Sequence, residues 1–217
     1  MEEIITAQEH YDRLADQDHG RNDPPALQSY MARWDGPQFY EMLGRLPGRD
    51  VLEIGIGVGR VARKVLKAGC HCLTGLDISP KTLAIAQTDL AEFANLELLQ
   101  ADICDFRRDE GFDVAYSVLT FMHVENKEKA LRNIVASLRP GGAVVLSIDR
   151  ESDLLNFQEW AVRLYPWPPE QYAAALEQIG CDVSEPVPLI DSLIRPDGKA
   201  SDTYGERVAT LIRGTKR

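Results

Sequence analysis

Residues 50–62 read D-V-L-E-I-G-I-G-V-G-R-V-A, and this stretch predicts the fold of the chain. Its first half is a short apolar run, which indicates a buried strand, and three alternating glycines follow. Apolar residues then recur at helical spacing, at Val61, Ala62, Val65 and Leu66. The pattern therefore indicates a strand, a tight turn and the start of a helix. Glycine accepts positive φ and lets a ligand approach the backbone, and a helix N-terminus favours an anion.

The spacing of the glycines discriminates between ligands. A dinucleotide fingerprint has a small residue three positions after its second glycine, and Arg60 at that position disfavours a pyrophosphate site. The phosphate-binding pattern G-x-x-x-x-G-K-[ST] is absent from the sequence. What remains is an acidic residue followed by three alternating glycines, at Glu53, Gly55, Gly57 and Gly59.

This E-x-G-x-G-x-G pattern resembles motif I of the class I, Rossmann-like methyltransferases, which bind S-adenosyl-L-methionine. The resemblance implies that the methionine part of the cofactor lies over the turn and that the acidic residue orders it. The cofactor-binding residues implied in this stretch are Glu53, Gly55, Ile56, Gly57 and Gly59. Ile56 and Val58 depart from the family, where smaller or hydroxylic residues are frequent, and so they remove side-chain hydrogen bonds from the turn.

Strand and helix patterns alternate from residue 50 to residue 148, which is typical of a parallel sheet with helices on both faces. Together with the resemblance, this rhythm predicts a three-layer αβα sandwich with a mostly parallel seven-stranded sheet. The resemblance also implies an antiparallel closing strand, at residues 207–213. Ligands of such sheets bind beyond the carboxyl ends of the strands, where the strand order reverses.

Residues 1–46 precede the glycine motif and are predicted to form a helical lid or flank, whereas residues 47–217 are predicted to be one methyltransferase domain. A helix is expected over about 26–46, with Tyr30, Met31, Trp34, Phe39, Tyr40 and Leu43 on one face. Core packing is the alternative role for these side chains. The resemblance implies that Tyr11, in the segment H-Y-D-R-L-A, helps to close over the cofactor.

Acidic residues follow the second and third predicted strands. The Asp77 carboxylate can accept hydrogen bonds from both ribose hydroxyls, and the resemblance implies that it has this role. The resemblance also implies that Ile78 packs on the adenine. It further implies that Asp102 accepts from the adenine amino group while the Ile103 backbone N–H donates to a ring nitrogen. The alternatives are a solvated strand-end carboxylate and, for Asp102, a local turn cap.

Ser117 and Val118 end the fourth predicted strand, and the resemblance implies that their backbone lies close to the methionine end of the cofactor. His123 is the candidate catalytic base, because its unperturbed pKa is close to neutral. A structural histidine is the alternative. An acceptor pocket is expected between the N-terminal lid, the His123 loop and residues 149–169, where a helix is predicted. Its aromatic candidates are Trp160, Tyr165 and Trp167.

The composition of the chain limits the classes of partner that it is expected to bind. A net charge of −10 over 217 residues argues against nucleic acid and against an anionic membrane surface. Four cysteines without a C-x-x-C pair predict free thiols and no metal site. No signal peptide or membrane-spanning run is recognised, which predicts a cytoplasmic protein. We expect a small-molecule partner and either a monomer or a homodimer.

These observations predict methyl transfer from S-adenosyl-L-methionine to a small-molecule acceptor, by in-line SN2 displacement. The first alternative is a protein that binds S-adenosylmethionine or S-adenosylhomocysteine without catalysis. The second is an NAD-dependent oxidoreductase on the same scaffold, which Arg60 disfavours.

Overall fold

The computed structural model describes residues 3–17, 32–148, 152–157, 159–195 and 197–217. Within these ranges the chain forms six α-helices and eleven β-strands, numbered here in chain order. The helices are α1 (Ala7–Asp16), α2 (Pro37–Leu43), α3 (Arg60–Lys67), α4 (Pro80–Asp89), α5 (Lys127–Ser137) and α6 (Pro169–Gln178). The strands are β1 (Glu3–Ile5), β2 (Asp50–Ile54), β3 (Cys72–Asp77), β4 (Leu96–Gln100), β5 (Phe112–Val118), β6 (Leu138–Ile148), β7 (Leu154–Phe157), β8 (Trp160–Arg163), β9 (Cys181–Val183), β10 (Val187–Ile190) and β11 (Arg207–Lys216). Short 3-10 helices cover Ala32–Asp35 and Phe121–His123.

Five parallel strands form the centre of the main sheet, in the order β6, β5, β2, β3, β4. The order reverses at β2, whose neighbours are β3 on one side and β5 on the other. β11 runs antiparallel to β6, and β9 and β10 both pair with the far edge of β11. These two short strands share one position, so the sheet has the seven positions that the sequence predicts, including the antiparallel closing strand.

Helices cover both faces of the sheet, which confirms the predicted three-layer αβα sandwich. On one face, Phe39 of α2, Val65 of α3 and Leu83 of α4 enter a common apolar core. On the other face, Leu131 of α5 and Leu176 of α6 enter a second core. Each fully buried side chain of this size contributes about 1.5–3 kcal/mol. The described part of the chain contains no helix with the length and apolar character that crossing a membrane requires.

The helix predicted within residues 149–169 is wrong. Leu154–Phe157 and Trp160–Arg163 pair as the antiparallel strands β7 and β8, and β1 pairs in parallel with β8 to complete a second, three-stranded sheet. The cross-strand pairs Leu155–Val162 and Phe157–Trp160 lie on one face of this sheet. An isolated hairpin is marginal in water, and a third strand stabilises it. That third strand comes from the other end of the chain, where no strand was expected.

Within its described residues, the N-terminal flank is less helical than predicted. Residues 26–31 of the predicted helix, including Tyr30 and Met31, lie outside the described residues. The remainder forms a 3-10 turn and then α2, which begins anew at Pro37 after Gly36. Proline lacks the backbone N–H that a helix interior requires but suits a first helical position, so the chain restarts its helix there.

Candidate functional site

A cavity of about 1370 Å³ lies at the carboxyl ends of β2, β3, β4 and β5. Its glycine wall consists of the lining residues within 53–63, 76–89 and 100–104, which follow β2, β3 and β4. Its histidine wall consists of the lining residues within 5–15, 118–126 and 155–165. The cavity therefore occupies the point where the strand order reverses, as ligand sites in such sheets do.

The structure brings almost all of the predicted site residues to this cavity. Those that line it are Tyr11, Glu53, Gly55, Ile56, Gly57, Gly59, Asp77, Ile78, Asp102, Ile103, Val118 and His123. Ser117 does not line it: the residue is 1% exposed and its hydroxyl donates to the Ile54 carbonyl at 3.1 Å. Because side chains alternate along a strand, Val118 rather than Ser117 faces the cavity.

The three glycines of the turn all have positive φ, at 73°, 56° and 87°. A Cβ at Gly55 would overlap the Thr120 side chain, and one at Gly59 would overlap the Leu90 side chain. A Cβ at Gly57 would meet no atom within 4 Å. Packing therefore requires glycine at Gly55 and Gly59, whereas Gly57 presents bare backbone to open space that a ligand can fill.

Asp77 is 9% exposed and orders the glycine turn. Its Oδ2 accepts from the Gly57 backbone N–H and its Oδ1 from the Ser79 backbone N–H, both at 2.9 Å. Burial raises the pKa of Asp77, and these two hydrogen bonds act in the opposite direction. Each carboxylate oxygen has a second lone pair, so Asp77 can still accept hydrogen bonds from a ligand.

Glu53 joins β2 to β5 beneath the turn. It is 3% exposed, and its Oε2 accepts from the Tyr116 hydroxyl at 2.7 Å. Burial raises the pKa of Glu53 to about 8, against the smaller lowering effects of Tyr116 and Arg60. Glu53 is therefore largely neutral at pH 7, and it acts as a buried hydrogen-bonding group rather than as a charge.

The segment after β4 presents one polar and one apolar side chain to the cavity. Asp102 is exposed, and its Oδ1 accepts from the Cys104 backbone N–H at 2.7 Å, which is the turn-capping arrangement. Ile103 is buried in the apolar core beside it. The cap occupies one lone pair of one oxygen, so Asp102 retains acceptor capacity toward a ligand.

The histidine wall contains a buried imidazole with one unsatisfied nitrogen. His123 Nε2 lies 3.1 Å from the Tyr11 hydroxyl, whereas Nδ1 is buried without a hydrogen-bond partner among the described residues. Burial lowers the pKa of His123 to about 4, and neighbouring His10 and Lys127 act in the same direction. The ring is therefore neutral at pH 7. Buried polar atoms are almost always paired, so this nitrogen, which the surrounding protein covers, is an unusual unsatisfied acceptor or donor beside the cavity.

Helix α1 carries Tyr11 and is fixed at both sides. On one side, the Ser79 hydroxyl donates to Asp12 Oδ1 at 2.6 Å, which ties α1 to the start of α4. On the other side, the Trp160 indole N–H donates to His10 Nδ1 at 3.0 Å. Burial raises the pKa of Tyr11, and the charge of Asp77 adds to this effect. Tyr11 therefore stays a neutral phenol that can fix the imidazole of His123.

The three aromatic candidates for an acceptor pocket do not all lie at the cavity. Tyr165 lines the cavity, as does Phe157, which the sequence did not single out for this role. Trp160 is buried against His10 instead, and Trp167 packs on Tyr172. The hairpin explains the position of Trp160, which pairs with Phe157 across β7 and β8.

Two further wall residues carry no recognisable sequence signal. Leu119 lines the cavity with φ of 59°, in the left-handed region that residues with a Cβ rarely adopt. Such backbone strain costs about 1–3 kcal/mol and tends to occur at functional sites. Thr120 follows it and covers Gly55. Neither position could be identified from residue type alone.

Comparison with known proteins agrees with this geometry. Residues 52–146 match the methyltransferase domain family. The chain is 35% identical over 108 residues to a demethylmenaquinone methyltransferase of Tropheryma whipplei, a match that covers 49% of this chain and 44% of that protein. It is 28% identical over 111 residues to the O-methyltransferase rstn1 of Aspergillus nomiae, a match that covers 49% of each protein. The chain thus spans about half the length of these curated relatives.

A solved structure extends the similarity beyond the matched domain. Magnesium protoporphyrin IX methyltransferase from Synechocystis, with bound S-adenosylhomocysteine, superposes with a TM-score of 0.70 at 15% identity, covering 97% of both chains. At this identity the likeness shows the fold alone. Residues 52–146 are thus similar to the methyltransferase domain family, and the chain shares the fold of this solved methyltransferase.

Proposed function

We propose that this chain is an enzyme that transfers the methyl group of S-adenosyl-L-methionine to a small-molecule acceptor by in-line displacement. The observation that carries the proposal is a single cavity with two chemically different walls. Its volume of about 1370 Å³ exceeds the ~300–1,000 Å³ typical of a site for one small ligand. The cavity therefore has room for a cofactor and an acceptor side by side.

The glycine wall fits the cofactor. The open space beside Gly57 admits the methionine part, and Asp77 has acceptor capacity for the ribose hydroxyls. Asp102, Ile103 and Ile78 would hold the adenine between a carboxylate and apolar surfaces. The other predicted cofactor-binding residues that line the cavity would surround the cofactor, from the glycine wall and from the neighbouring part of the histidine wall. They are Tyr11, Glu53, Gly55, Ile56, Gly59 and Val118. Bound there, the cofactor supplies a methyl group made electrophilic by its sulfonium.

The histidine wall fits the acceptor. When the Nε2–H group of His123 donates a hydrogen bond to the Tyr11 oxygen, Nδ1 is the free lone pair. The protein covers Nδ1 in this structure, so a small movement of the His123 side chain toward the cavity that it lines would let Nδ1 accept a hydrogen bond from an acceptor hydroxyl or amine. The acceptor becomes strongly acidic as it gains a methyl group, so a neutral imidazole of low pKa suffices to take its proton. His123 would thereby orient the acceptor lone pair, and orientation is the main source of rate in such a transfer.

A small acceptor is supported by the shape of the site and by the similar proteins. Residues of α1 and of the β7–β8 hairpin line the cavity on the side of His123 and so border the space that an acceptor would occupy. Proteins similar to this chain include a demethylmenaquinone methyltransferase and an O-methyltransferase, whose names point to small acceptors. The net charge of −10 disfavours a nucleic-acid backbone.

The proposal is tested in two steps. Calorimetry should show that S-adenosylmethionine and S-adenosylhomocysteine bind and that NADH does not. Transfer of a labelled methyl group is then measured over a panel of phenols, quinols, amines and carboxylic acids, with His123→Asn as the matched inactive variant. Binding without transfer across the panel would favour a non-catalytic protein, and NADH binding alone would overturn the assignment.

A further inference from the structure

Lys127 is a buried lysine that the mechanism above does not use. It is the first residue of α5 and is 0% exposed. Its Nζ donates to the backbone carbonyl of Val124 at 2.6 Å and to the backbone carbonyl of Tyr165. The rings of Tyr165 and Trp167 lie 5.8 and 5.9 Å from Nζ. Lysine is seldom fully buried unless its ammonium is satisfied, so this set of contacts indicates a specific role.

The two carbonyls belong to different segments of the histidine wall. Val124 directly follows the 3-10 turn Phe121–His123, whereas Tyr165 lies just beyond the end of β8. The Tyr165 backbone N–H also donates to the Met122 carbonyl, at 2.8 Å. His123 therefore stands between two residues whose carbonyls are held, one by the Tyr165 backbone and the other by Lys127.

The hydrogen bonds of Lys127 stay within this wall. Both acceptors lie in segments that border the acceptor side of the cavity, and neither is part of the glycine turn. Burial lowers the pKa of Lys127 to about 8, which leaves the ammonium charged at pH 7. A charged donor forms stronger hydrogen bonds than a neutral one, so this lysine can hold two chain segments together.

We propose that Lys127 is a positioning residue for methyl transfer, which fastens the His123 turn to the end of β8 and thereby fixes the imidazole that faces the acceptor. This inference rests on the proposed function. Within the described residues, its hydrogen bonds go to the Val124 and Tyr165 carbonyls of the histidine wall, so its loss should affect the acceptor step while cofactor binding persists.

Two variants and a control test the proposal. Lys127→Met removes the charge and every donor at similar length, and Lys127→Gln retains a neutral donor. Lys129→Met is the matched control, because Lys129 lies on the same helix but is exposed and paired with Asp105. Amide hydrogen exchange with S-adenosylhomocysteine present reports the His123, Val124 and Tyr165 amides, which donate to Thr120, Phe121 and Met122.

We expect these amides to exchange at least about 10-fold faster in Lys127→Met, with a smaller change in Lys127→Gln and none in Lys129→Met. The amide of Gly55, which donates to Leu76 in the glycine wall, should exchange at the wild-type rate. The affinity for S-adenosylhomocysteine should change less than about 3-fold. The kcat for an acceptor identified in the panel should fall at least about 10-fold in Lys127→Met.

Several results would overturn the inference. Unchanged exchange at the three amides would show that Lys127 does not fasten the two segments. Faster exchange throughout the main sheet, or failure of both Lys127 variants to fold, would show a general core role instead of a local one. Localised exchange with unchanged kcat would overturn the positioning role while leaving the proposed function intact. Wild-type protein that transfers no methyl group would count against the proposed function itself.

Discussion

The two walls of the cavity are built in different ways. The glycine wall comes from the ends of three successive strands, and its main contacts are between backbone groups and Asp77. The histidine wall joins three segments that are distant in sequence, through contacts such as Tyr11 with His123 and Lys127 with Tyr165. A local motif thus specifies the glycine wall, whereas long-range side-chain contacts specify the histidine wall.

Glu53 in the glycine wall and His123 in the histidine wall are both buried, and burial moves their pKa values in opposite directions. The pKa of Glu53 rises to about 8, whereas the pKa of His123 falls to about 4. Burial disfavours the charged form of both groups, which is the anion in one case and the cation in the other. Both side chains are therefore mainly neutral near pH 7.

The largest expected effect is on the pH dependence of the free energy of unfolding, to which the two walls contribute with opposite sign. Since the pKa of Glu53 rises from 4.5 to about 8 on folding, its stabilisation is complete below pH 4.5 and is lost as pH rises through 8, by about 3–5 kcal/mol. The folded pKa of His123 is instead lowered from 6.5 to about 4, so its stabilisation is lost as pH falls through that range.

Urea unfolding of the wild type and of Glu53→Gln between pH 5 and 8.5 measures the first contribution. The variant should lack most of the decline in unfolding free energy that the wild type shows above pH 5. His123→Asn should leave this decline intact and weaken the dependence below pH 6.5. Parallel pH curves for wild type and Glu53→Gln would show that this carboxyl does not titrate as its burial requires.

Removing the imidazole tests the acceptor side directly. His123→Asn should lower kcat about 100-fold, because a positioned base typically contributes 10²–10⁴-fold. Its affinity for S-adenosylhomocysteine should stay within about 3-fold of wild type, by calorimetry. His71→Asn is the control, since His71 is exposed and pairs with Asp50 outside the cavity. Equal loss of cofactor affinity and turnover would erase the distinction between the walls.

Asp77→Ala tests the cofactor side. The substitution removes the acceptor for the Gly57 and Ser79 backbone N–H groups together with the proposed ribose contact. Unpaired buried donors cost about 1–3 kcal/mol, so affinity for S-adenosylhomocysteine should fall about 30-fold. Asp105→Ala, at an exposed ion pair, should bind as the wild type does. Unchanged affinity in Asp77→Ala would refute the assigned ribose site.

The smallest expected effect on cofactor affinity is at Gly57, and its comparison with Gly55 separates two glycines of the same turn. Gly57→Ala adds a methyl group in open space, so it should cost about 1 kcal/mol of stability, from its positive φ, and about 10-fold in cofactor affinity. Gly55→Ala overlaps Thr120 and should cost about 2–4 kcal/mol of stability. Thr120→Ala should restore part of that loss. Thermal unfolding and calorimetry measure both, and equal destabilisation of the two variants would contradict the packing argument.

Much of the fold and of the glycine wall could be predicted from the sequence. The strands Leu96–Gln100 and Phe112–Val118 lie where the apolar runs predict them. Asp77 and Asp102 could be placed because parallel strands bring their carboxyl ends to one edge. Periodicity, glycine spacing and strand ends depend only on residues that are close together in sequence, so they can be predicted from the sequence directly.

The histidine wall could be predicted only in part, because it depends on partners that the sequence does not reveal. The β7–β8 hairpin needs β1 as its third strand, and without that strand the apolar residues fit a helix equally well. Lys127 resembles an ordinary surface lysine at a helix start until Tyr165 is brought beside it. Ser117 and Val118 are neighbours in sequence, and the pleat alone decides which one faces the cavity.

The parallel pairing of β1 with β8 has a consequence for the order of folding. Glu3 pairs with Trp160, so most of the chain must be synthesised before this small sheet can close. Contacts between such distant segments form slowly, because the intervening chain loses entropy when its ends meet. During synthesis, the strands that carry the glycine wall could therefore fold well before the small sheet closes the histidine wall.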